Sequence, residues 1–186
     1  MQTSLNIKEP GLNVFPLGVE RYVVNGGGLT GVQILPDDEV EIINDEGNQI
    51  CEITVFNKDG KSELGILNLK ESKNSSEIKK ILFNKNETSL QALFQLKKRN
   101  LDIEKSKSAI LFDKDTVAKE TIKLKSKDKC YCIISAPGNA MLVHEQNPST
   151  DLTVLVKRAE KKQDKEFSVI PDPVYDPSGE IDIKRT

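Results

Sequence analysis

The stretch from Leu29 to Asn57, LTGVQILPDDEVEIINDEGNQICEITVFN, constrains the fold more than any other part of the chain. Strand side chains alternate between two faces. Val40, Ile42 and Asn44 therefore share one face, and Glu41 and Ile43 the other. After the polar turn Asn44-Asp45-Glu46-Gly47-Asn48, Gln49, Cys51, Ile53 and Val55 share a face, opposed by Ile50, Glu52, Thr54 and Phe56. Two alternating runs around a glycine that tolerates positive φ predict an antiparallel β-hairpin with Gly47 at its turn.

The rest of the chain repeats that period. A strand, a Pro-Leu-Gly turn and a second strand are expected over Val14–Val24, and short strands over Ala109–Phe112, Val117–Leu124, Cys130–Ala136, Ala140–Glu145 and Leu152–Ala159. Many short strands at regular spacing predict a mainly β, β-rich α+β fold, an antiparallel barrel or sandwich. One region breaks the period. Ile78, Ile81 and Leu82 form a helical stripe that Ser75 or Ser76 can cap. A second helix follows, capped by Thr88 or Ser89, with Leu90, Leu93, Phe94 and Leu101 as its apolar face and Lys97, Lys98 and Arg99 at its C-terminal end. Two short inserted helices packed on a sheet are therefore expected. The boundaries read as a frayed N-terminus over 1–13, a barrel-like domain over 14–160, and an extended, proline-bearing linker over 161–186, pointing towards a following domain.

Composition narrows the function classes. The 186 residues suit one domain with a tail, and 27 basic residues against 29 acidic ones give no global field to attract nucleic acid or an anionic membrane. Tryptophan is absent, which disfavours base-stacking platforms. The first 25 residues lack a secretory pattern, and no run approaches the roughly 20 apolar residues of a membrane span. Cys130 and Cys132, at i and i+2 of a strand, have Cα atoms roughly 6.5–7 Å apart, at or beyond disulfide range. With three cysteines in all, a reduced, cytoplasmic protein is expected.

Several groups are candidates for chemistry. Gly26-Gly27-Gly28 could cradle a phosphate, but a strand-like run follows it and no Lys-Ser/Thr pair does, so it reads as a strand connection. His144 is the single histidine; with Cys51, Cys130 and Cys132 it could hold a metal only if the fold assembled them, because their spacing matches no compact zinc motif. The alternative makes the cysteines small buried hydrophobes. A cysteine nucleophile would need His144 beside it and an orienting group such as Asn139. Acidic pairs Asp37-Asp38 and Asp45-Glu46 lie in turns, where such side chains bond the local backbone. Gln49 and Cys51 share a face and could line a small-molecule site with Asn139, or be structural.

The hairpin residues also carry a resemblance. Val40-Glu41-Ile42-Ile43-Asn44, Gly47-Asn48-Gln49 and Phe56-Asn57 resemble the opening of the urea-carboxylase-associated family domain, with Glu52 where that family usually has Asp. Gly26-Gly27-Gly28, Ala136-Pro137-Gly138 and Pro171-Asp172-Pro173 are similar to a variant found at the N-terminus of fused aminomethyltransferases of the glycine-cleavage T-protein type. The resemblance implies an accessory domain of a folate-dependent transferase, used for scaffolding or small-molecule binding and not itself catalytic. Its partners would be the following domains of the same polypeptide, with tetrahydrofolate bound in the missing catalytic domain. The competing expectation is a zinc-dependent small-molecule enzyme or binder using Cys51, Cys130, Cys132 and His144.

Overall fold

The computed structural model describes residues 18–73, 75–84, 87–138 and 149–159. Among them, eight strands form in chain order: β1 (Val19–Val24), β2 (Leu29–Ile34), β3 (Glu39–Asn44), β4 (Cys51–Asn57), β5 (Ser108–Phe112), β6 (Glu120–Lys125), β7 (Cys130–Ser135) and β8 (Leu152–Lys157). Between β4 and β5 lie a 3-10 turn over Leu64–Leu67 and two helices, α1 (Glu77–Leu82) and α2 (Glu87–Lys98). The strands make two four-stranded sheets, β1-β8-β3-β6 and β2-β7-β4-β5, antiparallel throughout. This order is that of an eight-stranded jelly roll, a sandwich and not a closed barrel.

The predicted hairpin does not form. The two runs are strands and Gly47 has φ +81°, but β3 pairs with β6 and β8 while β4 pairs with β5 and β7. The connection arches from one sheet to the other. Alternation specifies which face a side chain takes, not which strand lies beside it. Val40 and Ile42 on β3 point into the same interior as Cys51, Ile53 and Val55 on β4, from opposite sides. The arch is fixed locally: Asn44 Nδ2 donates to Gln49 O (2.8 Å), Gly47 N to Asn44 Oδ1 (3.0 Å) and Asn48 N to Thr116 O (2.7 Å). A Cβ on Gly47 would lie 2.6 Å from Ala118 N.

A second apolar layer covers the outer face of sheet β2-β7-β4-β5. Phe56 and Ile133 pack there with Ile78 and Leu82 of α1, Leu96 of α2, and Leu101 and Ile103 beyond it. Each such buried side chain contributes about 1.5–3 kcal/mol. The apolar face of α2 differs from the expected one. Leu96 and Leu101 are buried, with Ala92 and Leu93 packed beside them, whereas Leu90 and Phe94 are 55% and 67% exposed. The helix has two apolar stripes, and packing on α1 and the sheet selects the one through Leu96. Val117 is exposed and precedes β6, which begins at Glu120. The expected strand over 140–145, the N-terminal segment and the linker from 161 lie outside the described residues. No helix among the described residues is long and apolar enough to cross a membrane.

Neither serine caps α1 with its side chain. Ser76 occupies the N-cap position without a side-chain cap bond, and Ser75 Oγ donates to Ser72 O and Ser108 O. The cap comes from the sheet: Glu52 Oε2 accepts from Glu77 N (2.7 Å) and Ile78 N (3.4 Å). A carboxylate at the positive end of a helix satisfies donors the helix cannot. Glu52→Ala is therefore expected to lower stability by about 2–3 kcal/mol, and Ser76→Ala by no more than about 0.5 kcal/mol, in urea titrations.

Candidate functional site

Three connections that are far apart in sequence meet at one end of the sandwich. They are the β1–β2 connection with Gly26-Gly27-Gly28, the β3–β4 arch, and the ends of the β7–β8 connection. Gly27 N donates to Ala136 O (2.6 Å), Ala136 N to Gly28 O (3.1 Å), and Gly26 N to Asp151 Oδ1 (2.9 Å). A Cβ on Gly26 would lie 2.4 Å from Ser149 O, so the loops can approach this closely only with glycine there. The glycine run is thus a strand connection held by its neighbours.

Gln49 ties this end together. It is 2% exposed; its Nε2 donates to Ile50 O and Pro137 O, both at 2.9 Å, and its Oε1 accepts from Thr150 N at 2.8 Å. Both amide hydrogens and the oxygen are engaged by backbone, so Gln49 positions loops and offers no free donor to a ligand. Glu52, on the opposite face of β4, caps α1 and does not join it. Thr150 Oγ1, at the same end as Gln49, is buried and has no hydrogen-bond partner among the described residues. Asn139 and His144 lie outside the described residues.

The cysteines separate into two places. Cys51 is fully buried in the sandwich, and burial, followed by the nearby Glu52 charge, pushes its thiol far up. Along β7, Glu52 faces Ser135 and Val55 faces Cys132. Cys51 is therefore displaced from Cys132 by four residues of strand, about 13 Å. Cys130 and Cys132 are neighbours, their sulfurs 3.8 Å apart, with Ser126 Oγ 3.7 Å from Cys130 Sγ. The hydrogen bond to Cys130, followed by burial, pushes the Cys132 thiol up, while the same bond draws Cys130 down. The pair resists carrying two negative charges. A catalytic zinc needs about three protein ligands. Among the described residues no group of three or more His, Cys, Asp or Glu is placed to hold a metal. Cys51 does not converge on Cys130 and Cys132.

One element had no signal in the sequence. Arg158, just after β8, donates to Glu20 Oε1 and Oε2 (2.9 and 2.6 Å), Asp38 Oδ2 (2.6 Å) and Gln33 O (3.0 Å). Asp38 also accepts from Leu35 N and Ala159 N, so it serves its turn as the sequence implied and the exit of β8 as well.

No family model matches the chain. Over 178 residues, 95% of its length, the chain is 32% identical to the trimethylamine-oxide aldolase of Ruegeria pomeroyi, and it spans about a fifth (22%) of that protein. This overturns the expectation of an aminomethyltransferase accessory domain, because the protein that aligns almost end to end with this chain is named for an aldolase. Of the motifs behind that expectation, the glycine run, Ala136 and Gln49 meet at one end of the sandwich. The competing expectation, a small-molecule enzyme or binder, stands closer to the relative's name.

Two outcomes follow for this end and for the thiols. Gln49→Leu is expected to cost about 2–4 kcal/mol in urea unfolding, and Gln49→Glu should not rescue it, since an oxygen would then face two carbonyls. With Ellman's reagent, Cys51, Cys130 and Cys132 should each react at least about a hundredfold more slowly in the native chain than in urea, because reaction waits on opening.

Proposed function

We propose that this chain is the jelly-roll domain of a longer lyase that acts on trimethylamine oxide or a similarly compact amine oxide. The single observation supporting this is the 32% identity carried across 95% of the chain, far beyond the turn motifs alone. An aldolase releases an aldehyde. From trimethylamine oxide the atoms balance as dimethylamine plus formaldehyde, with one methyl carbon taking the oxygen and its bond to nitrogen breaking. The substrate has no acidic proton and one strongly accepting oxygen, so recognition calls for hydrogen-bond donors in an otherwise apolar setting. The Thr150 hydroxyl, at the end closed by Gln49, is a donor of that kind.

The test is to incubate the chain, and any longer polypeptide its gene encodes, with trimethylamine oxide and to quantify formaldehyde and dimethylamine. Equimolar release by the longest form is expected. No release by either form, together with no heat of binding of trimethylamine oxide to either, overturns the proposal.

A further inference from the structure

Cys130 and Cys132 share one face of β7, the strand between β2 and β4, with their sulfurs 3.8 Å apart and no bond between them. A single cysteine in a core is an ordinary small apolar side chain. Two in mutual contact add a chemistry, because each can bond the other.

The two thiols are not equivalent. Cys130 is the first residue of β7 and follows the turn through Lys127, Asp128 and Lys129, all exposed. Cys132 lies two residues deeper, opposite Val32 on β2 and Val55 on β4. The hydrogen bond with Cys132 draws the Cys130 thiol down; burial opposes this, Ser126 aids it, and the Asp128 and Asp38 charges oppose it. The same bond pushes Cys132 up. Cys130 is thus the readier nucleophile and the thiol nearer the surface, with Cys132 placed to resolve it. A molecule as small as hydrogen peroxide reaches Cys130 by local opening of the turn alone.

We propose that Cys130 and Cys132 are a redox-sensitive pair that a peroxide closes into a disulfide across one residue of β7. The Cys130 thiolate attacks one peroxide oxygen, the O–O bond breaks, and hydroxide leaves to become water with the proton that Cys130 gave up. The Cys132 sulfur then attacks the resulting sulfenic sulfur, the S–O bond breaks, and the oxygen departs as water with the Cys132 proton. The sulfurs together give up two electrons, and one peroxide becomes two waters. Residues i and i+2 of a strand have Cα atoms roughly 6.5–7 Å apart, whereas a disulfide prefers about 5.5–6 Å. Closure therefore puckers the start of β7, between the Ile34 and Asn57 partners of Cys130 and the Val32 and Val55 partners of Cys132. A strained disulfide is readily reduced, which makes the pair a reversible switch and not a staple. The inference does not rest on the catalytic reading above.

The native 186-residue chain, treated with hydrogen peroxide, alkylated in urea and digested with trypsin, tests it. Residues 130–157 form one tryptic peptide that holds both thiols, and Cys51 falls in another. Loss of two hydrogens from the 130–157 peptide is expected, at least about tenfold faster than oxidation of Cys51. Reduced glutathione should restore both thiols, and the oxidised chain should melt at least about 4 °C below the reduced one. Cys132→Ala should leave Cys130 as a sulfenic acid that dimedone traps, and Cys130→Ala should leave Cys132 unmodified; should either variant not fold, the parent chain decides alone. Full alkylation of both thiols after peroxide, a link between two chains, a link that glutathione leaves intact, or an oxidised chain that melts at or above the reduced one each overturn the proposal.

Discussion

Strand β4 is dry on both faces, and the rest of the molecule is arranged to keep it so. Cys51, Ile53 and Val55 close the interior between the sheets, while Glu52, Thr54 and Phe56 lie under the helical layer. A strand buried twice has its polar groups answered from within the protein or left costly. Thr54 Oγ1 and Ser108 Oγ are 2.6 Å apart and Glu52 Oε2 meets the backbone of α1, while Glu52 Oε1 is buried without a hydrogen-bond partner among the described residues. The sandwich and the helices are thereby coupled through one seven-residue strand. The helical insertion is placed between β4 and β5, the two consecutive strands that share a sheet, so it folds back directly over the strands it covers.

The location of nearly every described strand was legible because alternation is a local signal. Sheet membership was not, because Val40 and Ile53 carry the same pattern whether their strands lie side by side or face to face. The same limit explains α2. Two apolar stripes compete on one helix, and only the tertiary contacts of Leu96 decide between them. The cap of α1 was illegible for a related reason: the serines at its start are the usual local solution, but the carboxylate that serves it comes from 25 residues earlier.

The site divides in the same way. Gln49, which the sequence left open between a structural role and lining a small-molecule site, spends its side-chain amide on backbone groups of Ile50, Pro137 and Thr150. The metal reading of Cys51 with Cys130 and Cys132 rested on residue type, and the strand register sets them about 13 Å apart along the sheet. Spacing within a strand is readable; spacing between strands of unknown partnership is not.

The pairing of β1 with β8 has a bearing on how the protein is made. Val24 and its partner Leu152 are separated by 127 intervening residues, so at ordinary elongation rates β1 waits roughly 6–25 s for its one neighbour among the described strands to emerge. β3 waits nearly as long for the same strand, since β8 lies between them. Until then the nascent chain displays unsatisfied strand edges that other nascent chains can match. A sandwich wired in this way gains little from folding as it is synthesised. Its yield in a cell will depend on whatever chaperones hold β1 and β3 apart from their counterparts on neighbouring ribosomes.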